Sequence, residues 1–394
     1  MRTIGTQARG IRTPIIREST DLVTVVVDSV ASACEENNIC LADRDVVAVT
    51  EAVLARAQGN YATIDQIASD IKLKYGDNEV GVVFPIFSRN RFAMLLKGIA
   101  KGAKKVYLQL SYPSDEVGNQ LVSLDDVDAM GVNPYSDSFT EAEFRKIFGN
   151  NTKHRFTGID YIEYYKSFGD NIEIVFSCDP RHILKYTQHV LAADIHSRFR
   201  TKRLLEAAGA KTVYLLSDVL NESVHGSGFN PDYGLLGSNK STEDRVKLFP
   251  RDCEEFVENL RVALKNKFGK NIEAMVYGDG AFKDPQGGIW ELADPVVSPA
   301  YTKGLEGTPN EIKLKYLADN DFAELSGDEL DKALKESIQS KELDLMGKSV
   351  SQGTTPRQIV ELLGSLCDLV SGSGDKGTPV VLVQGYFDNF ATNA

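Results

Sequence analysis

Residues 45–59 read Asp45-Val-Val-Ala-Val-Thr-Glu-Ala-Val-Leu-Ala-Arg-Ala-Gln-Gly59. The run from Asp45 to Thr50 is short, apolar and rich in valine, which suits a buried strand better than a helix. The residues after it form a short predicted helix that stops at Gly59, since glycine takes backbone angles closed to other residues. Upstream, Leu22, Val26, Val30 and Ala33 share one helical stripe, with Ser19 or Thr20 as the expected cap. Downstream, residues 64–75 form a predicted helix closed by Gly76. These α–β–α elements are expected to make a first lobe.

Further out, the pattern changes. Strands are predicted over 80–87, 105–110, 171–176 and 212–216, and helices over 89–101 and from about 181 to 208. Such alternation argues for an α/β unit with parallel strands. Thr140-Glu-Ala-Glu143 inside it is a capping box that opens a helix. The last third carries glycine loops at 225–237, 278–288 and 371–377, and a charged, mainly helical stretch over 309–350.

The chain has 394 residues, 42% apolar and 25% charged, enough for two or three ordinary domains. Its formal charge is −12. An acidic surface repels phosphate backbones, so no nucleic-acid partner is expected, and an anionic small ligand needs local donors. The five cysteines are odd in number and form no CxxC pair, which reads as reduced thiols in a cytoplasmic protein. The first residues lack the apolar stretch of a signal peptide. The longest apolar runs fall far below the ~18 residues that span a bilayer, so no membrane partner is expected.

Several motifs could carry chemistry. Residues 371–377, Ser-Gly-Ser-Gly-Asp-Lys-Gly, contain G-x-G-x-x-G, but a predicted helix precedes the loop and a strand follows. That order is the reverse of a dinucleotide fingerprint. The loop is either an anion-binding nest or an ordinary helix-to-strand turn. Gly234-Leu-Leu-Gly-Ser-Asn-Lys-Ser241 nearly matches a phosphate loop, with Asn239 where the second glycine belongs. Asp279 ends an apolar run between Gly278 and Gly280, with Asp284, Glu291 and Asp294 close behind. A carboxylate so placed suits a hard metal, or is a turn aspartate. His182, His189 and His196 recur every seventh residue on the long predicted helix. Spaced ~10 Å apart along its axis, they cannot share a metal. His225, in a glycine-rich loop, is the candidate catalytic histidine.

Five separated stretches resemble one family, the coenzyme F-420 gamma-glutamyl ligases. They are Gly10-Ile-Arg-Thr-Pro-Ile-Ile16, the strand–helix unit 45–59, residues 234–239, residues 275–279, and Gly372-Ser-Gly-Asp-Lys-Gly-Thr-Pro-Val-Val-Leu-Val-Gln-Gly385. Their order agrees with the family over residues 1–75 and about 220–390, and roughly 80–215 have no counterpart. The resemblance implies an α+β fold: a gamma-glutamyl ligase-like core, residues 1–79 and 216–394, with an inserted α/β domain over 80–215. It also implies an intertwined homodimer, GTP (or ATP) as cosubstrate, and Mg or Mn. The reaction implied joins the amine of glutamate to a small-molecule carboxylate acceptor through an acyl phosphate. By position, Thr13, Pro14, Ile15, Ile16, Glu51, Arg56, Asn239, Gly372, Ser373, Gly374 and Gly377 would touch the nucleotide, and Asp279 would hold metal.

The chain departs from the family at four of these positions. Leu236 stands where the family has a first metal aspartate, Ser373 where the glycine loop has an acid, Arg56 where it has a lysine, and Gly280 at a second ligand position. Asp284, Asp294 and Asp232 are the candidate replacement ligands. Three functions are then open: a ligase acting on another acceptor, a non-catalytic nucleotide- or metabolite-binding protein of the same fold, and an enzyme of changed chemistry centred on His225.

Overall fold

A computed structural model describes residues 3–149, 152–154, 157–284, 288–352, 357–371 and 374–392. Val46–Thr50 is the middle strand of a five-stranded sheet ordered Gln7–Ile11, Val380–Gln384, Val46–Thr50, Glu273–Tyr277, Ala300–Tyr301. Val46–Thr50 runs parallel to Glu273–Tyr277, and Val380–Gln384 runs antiparallel to both its neighbours. The alternation of side chains along a strand explains the uninterrupted valines. Val47 and Val49 face helices Leu22–Asn37 and Cys253–Phe268, while Val46 and Ala48 face helix Ile359–Ser371. The sheet is therefore buried on both sides.

The pairing register also aligns the strand ends. Ile11 pairs with Val380, Val380 with Val49, and Val49 with Val276. Three strands thus finish, and the fourth begins, along one edge. Residues 12–16, Glu51, Gly278–Gly280 and the end of the glycine loop all emerge there.

A second sheet of six strands draws every strand from residues 79–215. Its order is Phe139–Thr140, Ile172–Phe176, Lys105–Leu110, Glu79–Val83, His189–Ala192, Thr212–Leu215. Phe139–Thr140 is antiparallel to its neighbour and the other pairings are parallel. Chain order reverses between Glu79–Val83 and His189–Ala192, so a topological switch point lies at their carboxyl ends. The apolar cluster on one face of this sheet also takes in Ile67, Ile71, Tyr75, Leu235, Leu236, Val246 and Leu248, from outside 79–215. The architecture is mixed α and β with several sheets. No helix among the described residues is long and apolar enough to cross a membrane. All five cysteines are free thiols.

Three expectations need correction. The long helix over 181–208 is instead a 3-10 turn Pro180–Lys185, a strand His189–Ala192 and a helix Arg198–Ala207. The residues Val190-Leu-Ala-Ala193 suit either state locally, and pairing with strands on both sides decides for the sheet. The three histidines therefore share no helix. The cap of the first helix is Asp21, which accepts from Thr24 N at 3.2 Å, not Ser19 or Thr20. The first lobe is also divided, because helix Ile64–Tyr75 packs on helix Phe92–Gly102 beside the six-stranded sheet. Glycines permit that approach. A Cβ on Gly98 would lie 2.6 Å from Ile67 Cγ2, and one on Gly102 would lie 2.4 Å from the Ala68 carbonyl oxygen.

Gly102→Ala should therefore push the two helices apart and cost ~1–3 kcal/mol of stability. An unfolding midpoint in urea equal to that of the parent would contradict this account of the packing.

Candidate functional site

The loop after Glu79–Val83 brings Arg91 from the six-stranded sheet to the aligned strand ends of the other sheet. Its shape is held by buried groups. Phe87 N donates to Asp115 Oδ2 at 2.7 Å, Ser88 N to the Tyr165 hydroxyl at 3.1 Å, and Arg91 N to Ser88 Oγ at 3.1 Å. Arg91 Nη1 then meets Asp294 Oδ1 at 2.7 Å, and Nη2 meets Asp279 Oδ2 at 2.8 Å. Its side chain is 13% exposed, against 1% for Asp294 and 31% for Asp279.

The glycines around Asp279 let acids reach its backbone. Asp279 N donates to Asp294 Oδ2 at 2.8 Å, and Gly280 N to Asp368 Oδ2 at 2.9 Å. A Cβ at Gly278 would lie 2.3 Å from Asp294 Oδ2, so no side chain fits there. Nearby, Lys247 Nζ bonds both oxygens of Glu51 at 2.8 Å, and Asn239 pairs with Lys247 across a short antiparallel ladder. Glu51 thus lies in the field of both Lys247 and Arg91, Asp279 and Asp294 pair with Arg91, and Asp368 adds a further carboxylate beside Asp279.

Burial, more than this charge balance, sets the protonation of the acids. Burial, then Asp294, pushes the Asp279 carboxyl up to about 7, and Arg91 only partly opposes the rise. Burial also raises Glu51, against the pull of Lys247, and it raises Asp368. For Arg91, burial alone would favour loss of the proton. Asp294 and Asp279 outweigh it and hold the guanidinium charged.

Of the residues expected from sequence, Glu51, Asn239, Asp279 and Asp294 come together here. Thr13 lies against the glycine loop, with its N–H 3.4 Å from the Gly377 carbonyl. Pro14 follows it, Ile15 is 78% exposed, and Ile16 is buried in the core. Arg56 is exposed on the helix that Glu51 begins, and Gly374 starts a 3-10 turn, Gly374–Lys376. Gly372 and Ser373 lie outside the described residues. Asp284 sits in the turn after Phe282–Lys283, where its N–H donates to Ile289, and it is not one of the acids that hold Arg91. His225 is exposed in a loop against helix Ile64–Tyr75, where Gln66 donates to its carbonyl. The groove it borders, about 760 Å³, is lined by Asp65, Lys72, Lys101 and Lys104 and by none of the clustered acids. Leu236 is buried in the apolar core, 1% exposed.

Sequence reasoning missed Arg91, Lys247 and Asp368. Asp368 carried a faint signal, as one of two acids, with Glu361, in the mostly apolar helix Ile359–Ser371.

A divalent metal wants several oxygen ligands around one point. The point between Asp279 and Asp294 is held by a guanidinium. Among the described residues, no three His, Cys, Asp or Glu side chains group to hold a metal ion. As they stand, these residues do not fit a metal at this pair.

Fold and site together describe a mixed α/β protein with an ion-paired polar centre where its sheet strands end. The sequence matches the F420-0:gamma-glutamyl ligase family over residues 10–385, nearly the whole chain, and the protein belongs to that family. A search among curated proteins finds no match.

The shift at Asp279 has a consequence for stability. Its folded-state value of about 7 lies above the ordinary 3.8, so the folded state holds this proton more tightly. The contribution is full below the unfolded value and is lost as pH rises through about 7. Solvent contact over 31% of the side chain screens its size. Asp279→Asn should lose less stability than the parent across that window. Parallel unfolding curves of the two proteins at every pH would count against the assignment.

Proposed function

We propose that the protein is a nucleotide-dependent amide ligase that joins glutamate, or a similar amino acid, to a carboxylate acceptor through an acyl phosphate. The observation that carries this reading is the convergence of residues 12–16, Glu51, Asp279 and the loop 374–378 at one sheet edge, beside Arg91 and Lys247. Family membership supports the ligase role.

In this reading an acceptor carboxylate oxygen attacks the terminal phosphorus of GTP (or ATP), and the nucleoside diphosphate leaves. The glutamate amine then attacks the acyl carbon, a carbon–nitrogen bond forms, and phosphate leaves. Such transfer depends on positioning and charge compensation, which backbone amides and cations supply. The attacking amine must shed protons. Asp279, partly open and with its carboxyl near 7, is the group matched to accept one. Thr13, Pro14, Ile15, Ile16, Arg56, Asn239, Gly374 and Gly377 are the nucleotide contacts of this reading. Mg or Mn travels with the nucleotide phosphates, because Arg91 occupies Asp279 and Asp294.

Residues 80–215 are the inserted α/β domain in this reading, and they recognise the acceptor. Support comes from the topological switch point beside the Arg91 loop, the position where open parallel sheets commonly bind ligands. The protein works as a cytoplasmic homodimer. Among the described residues, its edge strand Gln7–Ile11 pairs on one side only, and it borders an open groove of about 880 Å³, leaving backbone for a second copy. One observation favours a non-catalytic binding role instead: Leu236 is buried in the core, where the family resemblance places an acid.

Purified protein given GTP or ATP, glutamate and a panel of carboxylic acids should release phosphate only when glutamate and an acceptor are both present. Absence of nucleotide binding by calorimetry would sink the ligase reading. Light scattering at micromolar concentration should give twice the 43.3 kDa chain mass, and a monomer there would refute the dimer.

A further inference from the structure

Arg91 is built into its place. The loop that carries it is tied down by Asp115, Tyr165 and Ser88, and its guanidinium bridges the carboxylates of Asp279 and Asp294. Asp294 has both oxygens engaged: Oδ1 by Arg91 and Oδ2 by the Asp279 N–H. A divalent ion coordinating these carboxylates would sit at ~2 Å from their oxygens, hard against a guanidinium bonded to the same atoms. Two cations so close in a poorly solvated setting repel each other strongly.

We propose that Arg91 is the resident counter-cation of the Asp279–Asp294 pair, and that a divalent ion reaches this pair only by displacing it. The proposal rests on the ligase reading only for its choice of Mg²⁺ or Mn²⁺ as the competing ion. Arg91 comes from the six-stranded sheet and the acids lie at the ends of the five-stranded one. Displacement would therefore also release a contact between the two sheets.

The test is a titration of the full chain with Mn²⁺ alone, with free ion followed by electron paramagnetic resonance. Neither nucleotide nor glutamate is present, so the result is independent of the phosphate-release assay. Arg91→Gln keeps hydrogen-bonding capacity and removes the charge. It should bind Mn²⁺ at least tenfold more tightly than the parent, and adding Asp279→Asn to it should abolish the gain. Equal affinity of Arg91→Gln and the parent overturns the proposal, as does a gain that survives Asp279→Asn. If Arg91→Gln does not fold, Arg91→Lys replaces it. A single ammonium cannot span two carboxylates as a planar guanidinium does, so a gain of a few-fold is expected, and no gain overturns the proposal.

Discussion

A guanidinium held between two carboxylates ties this molecule together. Arg91 is almost buried, and a charge there persists only with partners that replace its water. Those partners lie about two hundred residues away in sequence, at the end of a different sheet. The loop that presents Arg91 is fixed in turn by the buried Asp115 carboxylate, which accepts from Phe87, Val117 and Asn119. Asp115 retains this role although burial raises its carboxyl to about 6. Each sheet thus supplies what the other could not bury alone.

The five-stranded sheet makes the meeting point possible through its register. Because Ile11, Val380, Val49 and Val276 lie in one row, four chain segments far apart in sequence leave the sheet at the same edge. Gly278 and Gly280 then admit Asp294 and Asp368 to the backbone. Amide donors that could have served a phosphate are used internally, so the acids at this edge are held rigidly. The cluster still contains more carboxylate than cation; burial first, and neighbouring carboxylates after it, raise the carboxyls of Asp279 and Asp368. A ligand or ion entering here must either bring positive charge or take over contacts that the protein now makes with itself.

The six-stranded sheet has the strand order of a doubly wound fold without that fold's phosphate loop. Where a glycine-rich turn would stand, the chain reads Phe84-Pro-Ile-Phe-Ser-Arg-Asn-Arg91. The amides of Ile195, His196 and Ser197, at the other side of the switch point, are filled by the Glu116 carboxylate. Side chains of the protein occupy positions that such sheets often leave to ligand.

Features set by neighbouring residues were legible in the sequence. The helix Ile64–Tyr75 with its Gly76 stop, the strand Lys105–Leu110 and the capping box at Thr140 follow from periodicity and caps, which act within one or two turns. Asp279 stood out because glycines and a strand end mark a place where the backbone is open, and Asp294 only because it follows within fifteen residues. The strand His189–Ala192 was hidden, since its residues fit a helix equally well and only pairing on both sides selects the extended form. Arg91, Lys247 and Asp368 were hidden for a related reason: a single charge shows no local pattern, and its meaning lies in which opposite charge it meets. The sequence by itself determined the local elements and the glycine-flanked acid. Only the tertiary structure decided that an arginine from the other sheet would lie between two of the acids, because ion pairing depends on distance in space and not on separation along the chain.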